Sequence, residues 1–359
     1  MLVKNYKDYQ ELNKKIEKSK PVKTYDLGLL ILRPILAYIV VMTHCYNYSY
    51  LPIRWKFIYI KTERFAFPVR VFFIMSIYYS YNTLINSDYK KKYERLIRLS
   101  IPYILWPIII FYLNKILRYF KYIESIITVK TLIKQLLIGA PIIGALWYQW
   151  VLIFISVLIN IIILIFKNSY NFILIQLSIV AFIYQYNGKN QDFIKNYDID
   201  YQRTFGRILE VMTCAFMGFF IASSGIMIFF RKYRLRVFIV CAFINYFIIK
   251  YDVFITNTGT DYAGVKLYIV SICIFFGFAV FPSELVKNKI ILKIIKIITN
   301  YTAGIYYIHQ PLSYYLRNYI SDVKKFTFKG CVIIYISCYL ISFFGMLIFG
   351  KTRLRNLFI

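Results

Sequence analysis

Histidine is almost missing from this chain, with two in 359 residues. Acidic side chains are scarce as well, 16 against 45 lysines and arginines. The six cysteines (Cys45, Cys214, Cys241, Cys273, Cys331, Cys338) show no CxxC or other metal-ligand spacing. That removes zinc-ribbon and dithiol chemistry and leaves them as small buried hydrophobes, with no metal expected. No internal repeat and no Gly/Ser-rich linker interrupts the chain, so neither a solenoid nor flexibly joined domains are expected. Residues 1–26 are polar and charged. A cleavable signal peptide would instead bring its apolar core after a short basic start.

What the chain does have is apolarity, 60% hydrophobic residues under a net charge of +29. A soluble domain of this composition would expose large apolar patches. Apolar runs of about 20 residues recur, the mark of a multi-pass membrane protein. Lipid leaves only helices as the answer to such runs, because each span must satisfy its own backbone. The expected fold is therefore all-α, a polytopic membrane bundle of about ten helices. Their expected limits are 27–46, 66–85, 100–118, 146–166, 170–186, 207–230, 237–255, 263–282, 301–319 and 329–349. Nucleic-acid binding, the usual reading of strong basicity, finds no basic region outside this framework. The 36 tyrosines and 32 phenylalanines, with Ile, Lys and Asn, suit the AT-rich codons of a low-GC genome, and no function is drawn from them.

Basic residues set the orientation. The clusters KKKYERLIR (90–98), RKYRLR (231–236) and KTRLR (351–355) fall on one side. Asp192, Asp198, Asp200, Asp261 and Asp322 fall on the other. Both termini are then cytoplasmic. The chain divides into a polar N-terminal segment 1–26, a membrane domain 27–350 and a basic tail 351–359.

Charges inside spans are costly, about 2.5–3.5 kcal/mol at mid-helix, so they tend to face protein or a water-filled cavity. Arg33 and His44 stand eleven residues apart in the first span. That is close to three turns, which puts both on one face with a rise of about 16 Å between them. Snorkelling of Arg33 and an interfacial His44 account for the same pattern. Arg95 and Arg98 form a basic pair one turn apart before Pro102, suited to phosphates or to anchoring at the cytoplasmic face. His309, the other histidine, sits in the ninth span beside Gln310 and Pro311. A lone buried histidine is also a common packing residue.

These residues, taken in order, resemble the acyltransferase family 3 of integral membrane acyltransferases. Arg33 and His44 resemble its R-x10-H pattern. FPVRVFFIMS (67–76) resembles its second-helix block, although Ile77 stands where a glycine usually follows Ser76. Arg95 and Arg98 resemble its RxxR element, followed by IPYILW (101–106). ALWYQWVLIF (145–154) resembles its LWF/LWY block and GIYYIHQPL (304–312) its late IY-x-x-H-x-P-L block. Pro34 directly after the arginine and Arg70 ahead of the FF pair depart from the pattern.

The resemblance implies O-acyl transfer from cytoplasmic acyl-CoA, acetyl-CoA by default, to a polysaccharide or lipid-linked glycan, in the plasma (inner) membrane of a bacterium. On it, Arg95, Arg98 and Arg33 would hold the donor, and His44 would act as general base or, as a second choice, carry the acyl group. Glu63, Glu210, Asp252 and Asp261 are candidate orienting carboxylates, and Arg70 is a candidate oxyanion partner or a simple ion-pair partner of Glu63. A glycan flippase or a membrane glycan polymerase is the rival reading, with no account of the Arg33/His44 spacing.

Overall fold

The structure is a computed structural model. It describes residues 27–45, 66–85, 88–119, 128–139, 146–186, 199–251, 265–282, 286, 288–317, 319–325, 327–350, 352, 354 and 357. Every regular element among them is a helix. In chain order these are α1 (Leu27–Cys45), α2 (Phe67–Ile85), α3 (Tyr89–Tyr119), α4 (Val129–Ile138), α5 (Trp147–Phe166), α6 (Tyr170–Tyr186) and α7 (Ile199–Ser223). They continue with α8 (Ile226–Lys232), α9 (Arg234–Tyr251), α10 (Val265–Ala279), α11 (Lys289–Asn300), α12 (Thr302–Leu316), α13 (Ser321–Lys324) and α14 (Phe328–Phe349). Among the described residues, five stretches are long and apolar enough to cross a membrane: Leu27–Cys45, Tyr89–Leu113, Trp147–Ile183, Gly206–Ser223 and Phe328–Phe349. The third covers α5 and most of α6, which meet at a 3-10 turn over Lys167–Ser169.

The outer surface exposes many large apolar side chains. On α14 the buried face carries small residues, Gly330, Cys331, Cys338, Ser342 and Gly345. The opposite face exposes Phe344, Leu347 and Ile348. Small side chains inward and large ones outward is the packing of helices in lipid, where close backbone approach replaces the hydrophobic drive. At Gly218 of α7 a Cβ would collide with the Ile74 carbonyl of α2, and at Gly28 of α1 with the Phe278 carbonyl of α10. All six cysteines are buried and free.

Pro34 lies inside α1. It has no N–H for the carbonyl four residues back, at a cost of about 3 kcal/mol in a helix interior. The Thr299 hydroxyl, shared with the Ile295 carbonyl of its own helix at 2.8 Å, donates to that Leu30 carbonyl at 2.9 Å, and Tyr335 Oη donates to the Pro34 carbonyl at 3.1 Å. The proline is tolerated because α11 supplies the donor that α1 cannot.

Several sequence expectations are corrected. The third helix was expected from residue 100, with 86–99 as a loop; α3 starts at Tyr89. The Asp88 carboxylate accepts from the backbone N–H groups of Lys90 and Lys91 at 3.0 and 3.3 Å, an N-cap that lets a polar basic stretch remain helical. Pro102 therefore sits well inside the helix. The expected span 207–230 begins at Ile199 and breaks at Gly225, whose φ is 66°. The expected loops 119–145 and 283–300 contain α4 and α11. Both are too short to span, so hydropathy does not report them. Thr128 and Asn288 cap their N-termini, and Tyr103 Oη ties α4 to α3 through the Leu136 carbonyl at 2.5 Å.

Candidate functional site

α1 is the spine of the site, and its two ends meet different neighbours. Thr299 reaches Leu30, and Gln310 reaches His44, so α12 runs parallel to α1 from the Arg33 end to the His44 end. α14 runs the other way, with Cys331 Sγ at 3.2 Å from the Cys45 carbonyl and Tyr335 at Pro34.

At the His44 end the two histidines of the chain come together, with ring centroids 5.2 Å apart. His44 Nδ1 lies 3.2 Å from the Gln310 side-chain amide. His309 is fully buried. Its Nδ1 lies 3.1 Å from the Ile305 carbonyl, which can only accept, so the ring proton is on Nδ1. Nε2 then keeps its lone pair, buried and with no hydrogen-bond partner among the described residues. A buried acceptor left open is uncommon and points toward a bound group.

At the other end the Arg33 guanidinium lies over the Tyr79 ring, 5.0 Å from its centroid. Arg95 is 6% exposed, and its Nε donates to Ser80 Oγ at 2.8 Å. Ser80 in turn donates to the Ser76 carbonyl at 2.6 Å, and Ser76 Oγ is 2.8 Å from Tyr148 Oη. Arg33 and Arg95 are both within electrostatic range of the Tyr148 hydroxyl. The two cations approach from α1 and α3 and converge on the first turn of α5.

That turn also joins the two ends. Gln149, 2% exposed, donates to the Leu99 carbonyl of α3 at 3.0 Å and accepts from Tyr307 Oη of α12 at 3.0 Å. Ring contacts continue from Tyr148 to Tyr306 at 5.2 Å and from Tyr306 to His309 at 6.0 Å. Polar and aromatic groups thus run without a gap from Arg33 and Arg95 to the imidazoles.

The expected site residues do not all fall in this corridor. Arg33, His44, Arg95 and His309 do. Arg98 is exposed at the surface of α3, within electrostatic reach of Arg95 and Tyr307. The RxxR pair is therefore split into a buried and a surface cation. Arg70 is fully buried but bonds Cys214 of α7 and lies near Tyr268 of α10. Glu210 is buried on α7 one turn before Cys214, so it shares that interface with Arg70. Glu63, Asp252 and Asp261 lie outside the described residues. Among the described residues, the neighbour at His44 Nδ1 is the Gln310 amide. Gln310, Tyr148, Ser80 and Gln149 had no role assigned from sequence. Their signal was adjacency: Gln310 follows His309, Tyr148 and Gln149 sit in the quoted LWY block, and Ser76 and Ser80 are one turn apart. Among the described residues, no three His, Cys, Asp or Glu side chains gather as a metal site.

Comparison with known proteins returned no match among curated proteins and none among solved structures. A family model described as an acyltransferase domain, Acyl_transf_3, matches residues 26–351. With five stretches among the described residues long and apolar enough to cross a membrane, the chain belongs to this acyltransferase family and is an integral membrane acyltransferase.

Proposed function

We propose that the protein transfers an acyl group, acetyl by default, from cytoplasmic acyl-CoA to a hydroxyl of a surface polysaccharide or lipid-linked glycan. It does so as a protein of about ten spans in a bacterial inner membrane, with both termini cytoplasmic. The observation that carries the reading is the polarity of the corridor along α1. The half-buried Arg33 and the buried Arg95 lie at one end and a pair of imidazoles at the other, about 16 Å of helix apart, a length suited to the extended arm of coenzyme A.

Arg95, held by Ser80, and the surface Arg98 attract the donor's phosphates, with guanidinium forks matching phosphate oxygens. Arg33 stands on the path of the arm. His44 Nε2 takes the proton of the acceptor hydroxyl as its oxygen attacks the thioester carbonyl. The carbon–sulfur bond then breaks, and the imidazolium returns the proton to the leaving thiolate. The products are an ester and free coenzyme A. For Nε2 to be the base, Nδ1 must carry the ring proton. The Gln310 amide, turned so that its oxygen accepts from Nδ1–H, holds that tautomer, and oxygen and nitrogen of an amide exchange places by a simple flip. The open Nε2 of His309 is placed to accept a hydrogen bond from the acceptor sugar.

Mass and NMR analysis of surface glycan from cells with and without the gene tests the reading. Loss of O-acyl groups on deletion, restored by the native gene and not by His44→Ala, is the expected result. Restoration by His44→Ala at native levels would remove His44 as the base.

A further inference from the structure

Away from the corridor, a groove of about 300 Å³ runs between α11 and α14. Ile297 and Tyr301 form one wall, and Tyr335, Tyr339, Leu340 and Phe343 form the other. Every lining side chain is aliphatic or aromatic. The tyrosine hydroxyls of α14 are turned inward, Tyr335 to the Pro34 carbonyl and Tyr339 to the Ile298 carbonyl. Their rings are locked with Tyr301 and Phe343 at centroid distances of 5.8 to 6.1 Å. The groove therefore offers carbon to its occupant. A glycan or a nucleotide would lose its water there without replacement hydrogen bonds, a cost an alkyl chain does not meet.

α11 says what kind of chain. Asn288 caps it, and Thr299 on its inner face is the donor to Leu30, which places the helix at the Arg33 end of α1. Its outer surface divides in two. Ile290, Ile294 and Ile297 form an exposed apolar stripe, and Lys293 and Lys296 are exposed beside it. A helix with a basic face next to an apolar face lies in the headgroup layer and favours anionic lipid. Lys293, Ile297 and Tyr301 follow at four-residue intervals, so they share one face, and the ammonium stands one turn from the groove.

We propose that the groove binds one acyl chain of an anionic phospholipid of the surrounding bilayer, with the headgroup phosphate on Lys293. The bound chain presses on the rings that hold Pro34 and Ile298. It thereby braces the turn of α1 that carries Arg33. The proposal does not depend on the acyl-transfer chemistry.

The test uses the full-length protein, delipidated in mild detergent and titrated with phosphatidylglycerol or phosphatidylcholine. Bound lipid is read by native mass spectrometry and bracing by the thermal transition. Phosphatidylglycerol should bind more tightly, by about fivefold for one lysine–phosphate contact, and should raise the transition. Lys293→Gln should bring the two lipids level, and Lys293→Arg should keep the preference. Leu340→Trp, a substitution at a half-exposed position, should fill the groove and lower retention of both lipids. Ile297→Trp should repeat that from the opposite wall. Full retention by both tryptophan variants would overturn the groove assignment, and an unchanged preference in Lys293→Gln would overturn the headgroup assignment. A co-purified isoprenoid-linked glycan in place of phospholipid would also overturn the proposal, giving the groove to the acceptor.

Discussion

Around Arg33 the first helix is held through its backbone, whereas around His44 it is held largely through side chains. Near Arg33, two α1 carbonyls take hydroxyl donors from other helices, Leu30 from Thr299 and Pro34 from Tyr335. Near His44, one α1 carbonyl, that of Cys45, takes the Cys331 thiol, and the contacts to the ring are an amide against Nδ1 and a second imidazole at 5.2 Å. Backbone capture fixes where a helix turn sits and tolerates no exchange of protons. Side-chain contacts between an amide and imidazoles leave ring protons free to move. On the proposed mechanism, the end that presents a fixed charge is therefore the rigid one, and the end that passes a proton has exchangeable partners.

Substitutions at the two ends should separate along the same line. His44→Ala should cause the largest effect, a fall in acyl transfer of about 10²–10⁴-fold, the usual range for a general base. Its insertion and thermal transition should stay native, and a variant that lost both together would erase the distinction between the ends. Arg95→Ala should weaken acyl-CoA binding by about 1.5–3 kcal/mol, the range of a charge-assisted hydrogen bond. A titration showing native affinity would reduce Arg95 to a topology anchor. Thr299→Val keeps the shape and removes the donor to Leu30, which leaves a buried carbonyl open. It should cost about 1–3 kcal/mol, seen as a lower thermal transition with turnover per folded molecule little changed. Gln310→Ala should do the opposite, slowing turnover by about fivefold to tenfold for one lost hydrogen bond of about 1 kcal/mol or slightly more, with the thermal transition unmoved. Tyr335→Phe should give the smallest change, about 0.5–1.5 kcal/mol of stability.

Much of the architecture could be read from hydropathy and helical period. α1, α2, α5, α6 and α14 start and stop within a residue or two of their expected limits, since each is an apolar run ended by polar residues. The misses share a cause. Hydropathy reports which residues tolerate lipid, not which are helical. The polar start of α3 depends on the Asp88 cap. α4 and α11 are capped amphipathic helices of 10 and 12 residues, below the length of a span. The break at Gly225 interrupts an apolar run without changing its hydropathy.

At the site, residue type and spacing already singled out Arg33, His44, Arg95 and His309, because charges and imidazoles in apolar helices are costly enough to need a reason. Eleven residues of α-helix put Arg33 and His44 at the two ends of one spine wherever the rest of the chain goes. Which groups meet them is a different matter. Thr299 is 269 residues from Leu30, and Gln310 is 266 residues from His44. No local rule links positions so far apart, since helical period relates residues only within one helix. Helix packing chose the hydroxyl that makes Pro34 tolerable and the amide that faces His44. It likewise set Arg95 inside and Arg98 outside, because only the placement of α2 and α5 against α3 determines which of two arginines one turn apart is covered.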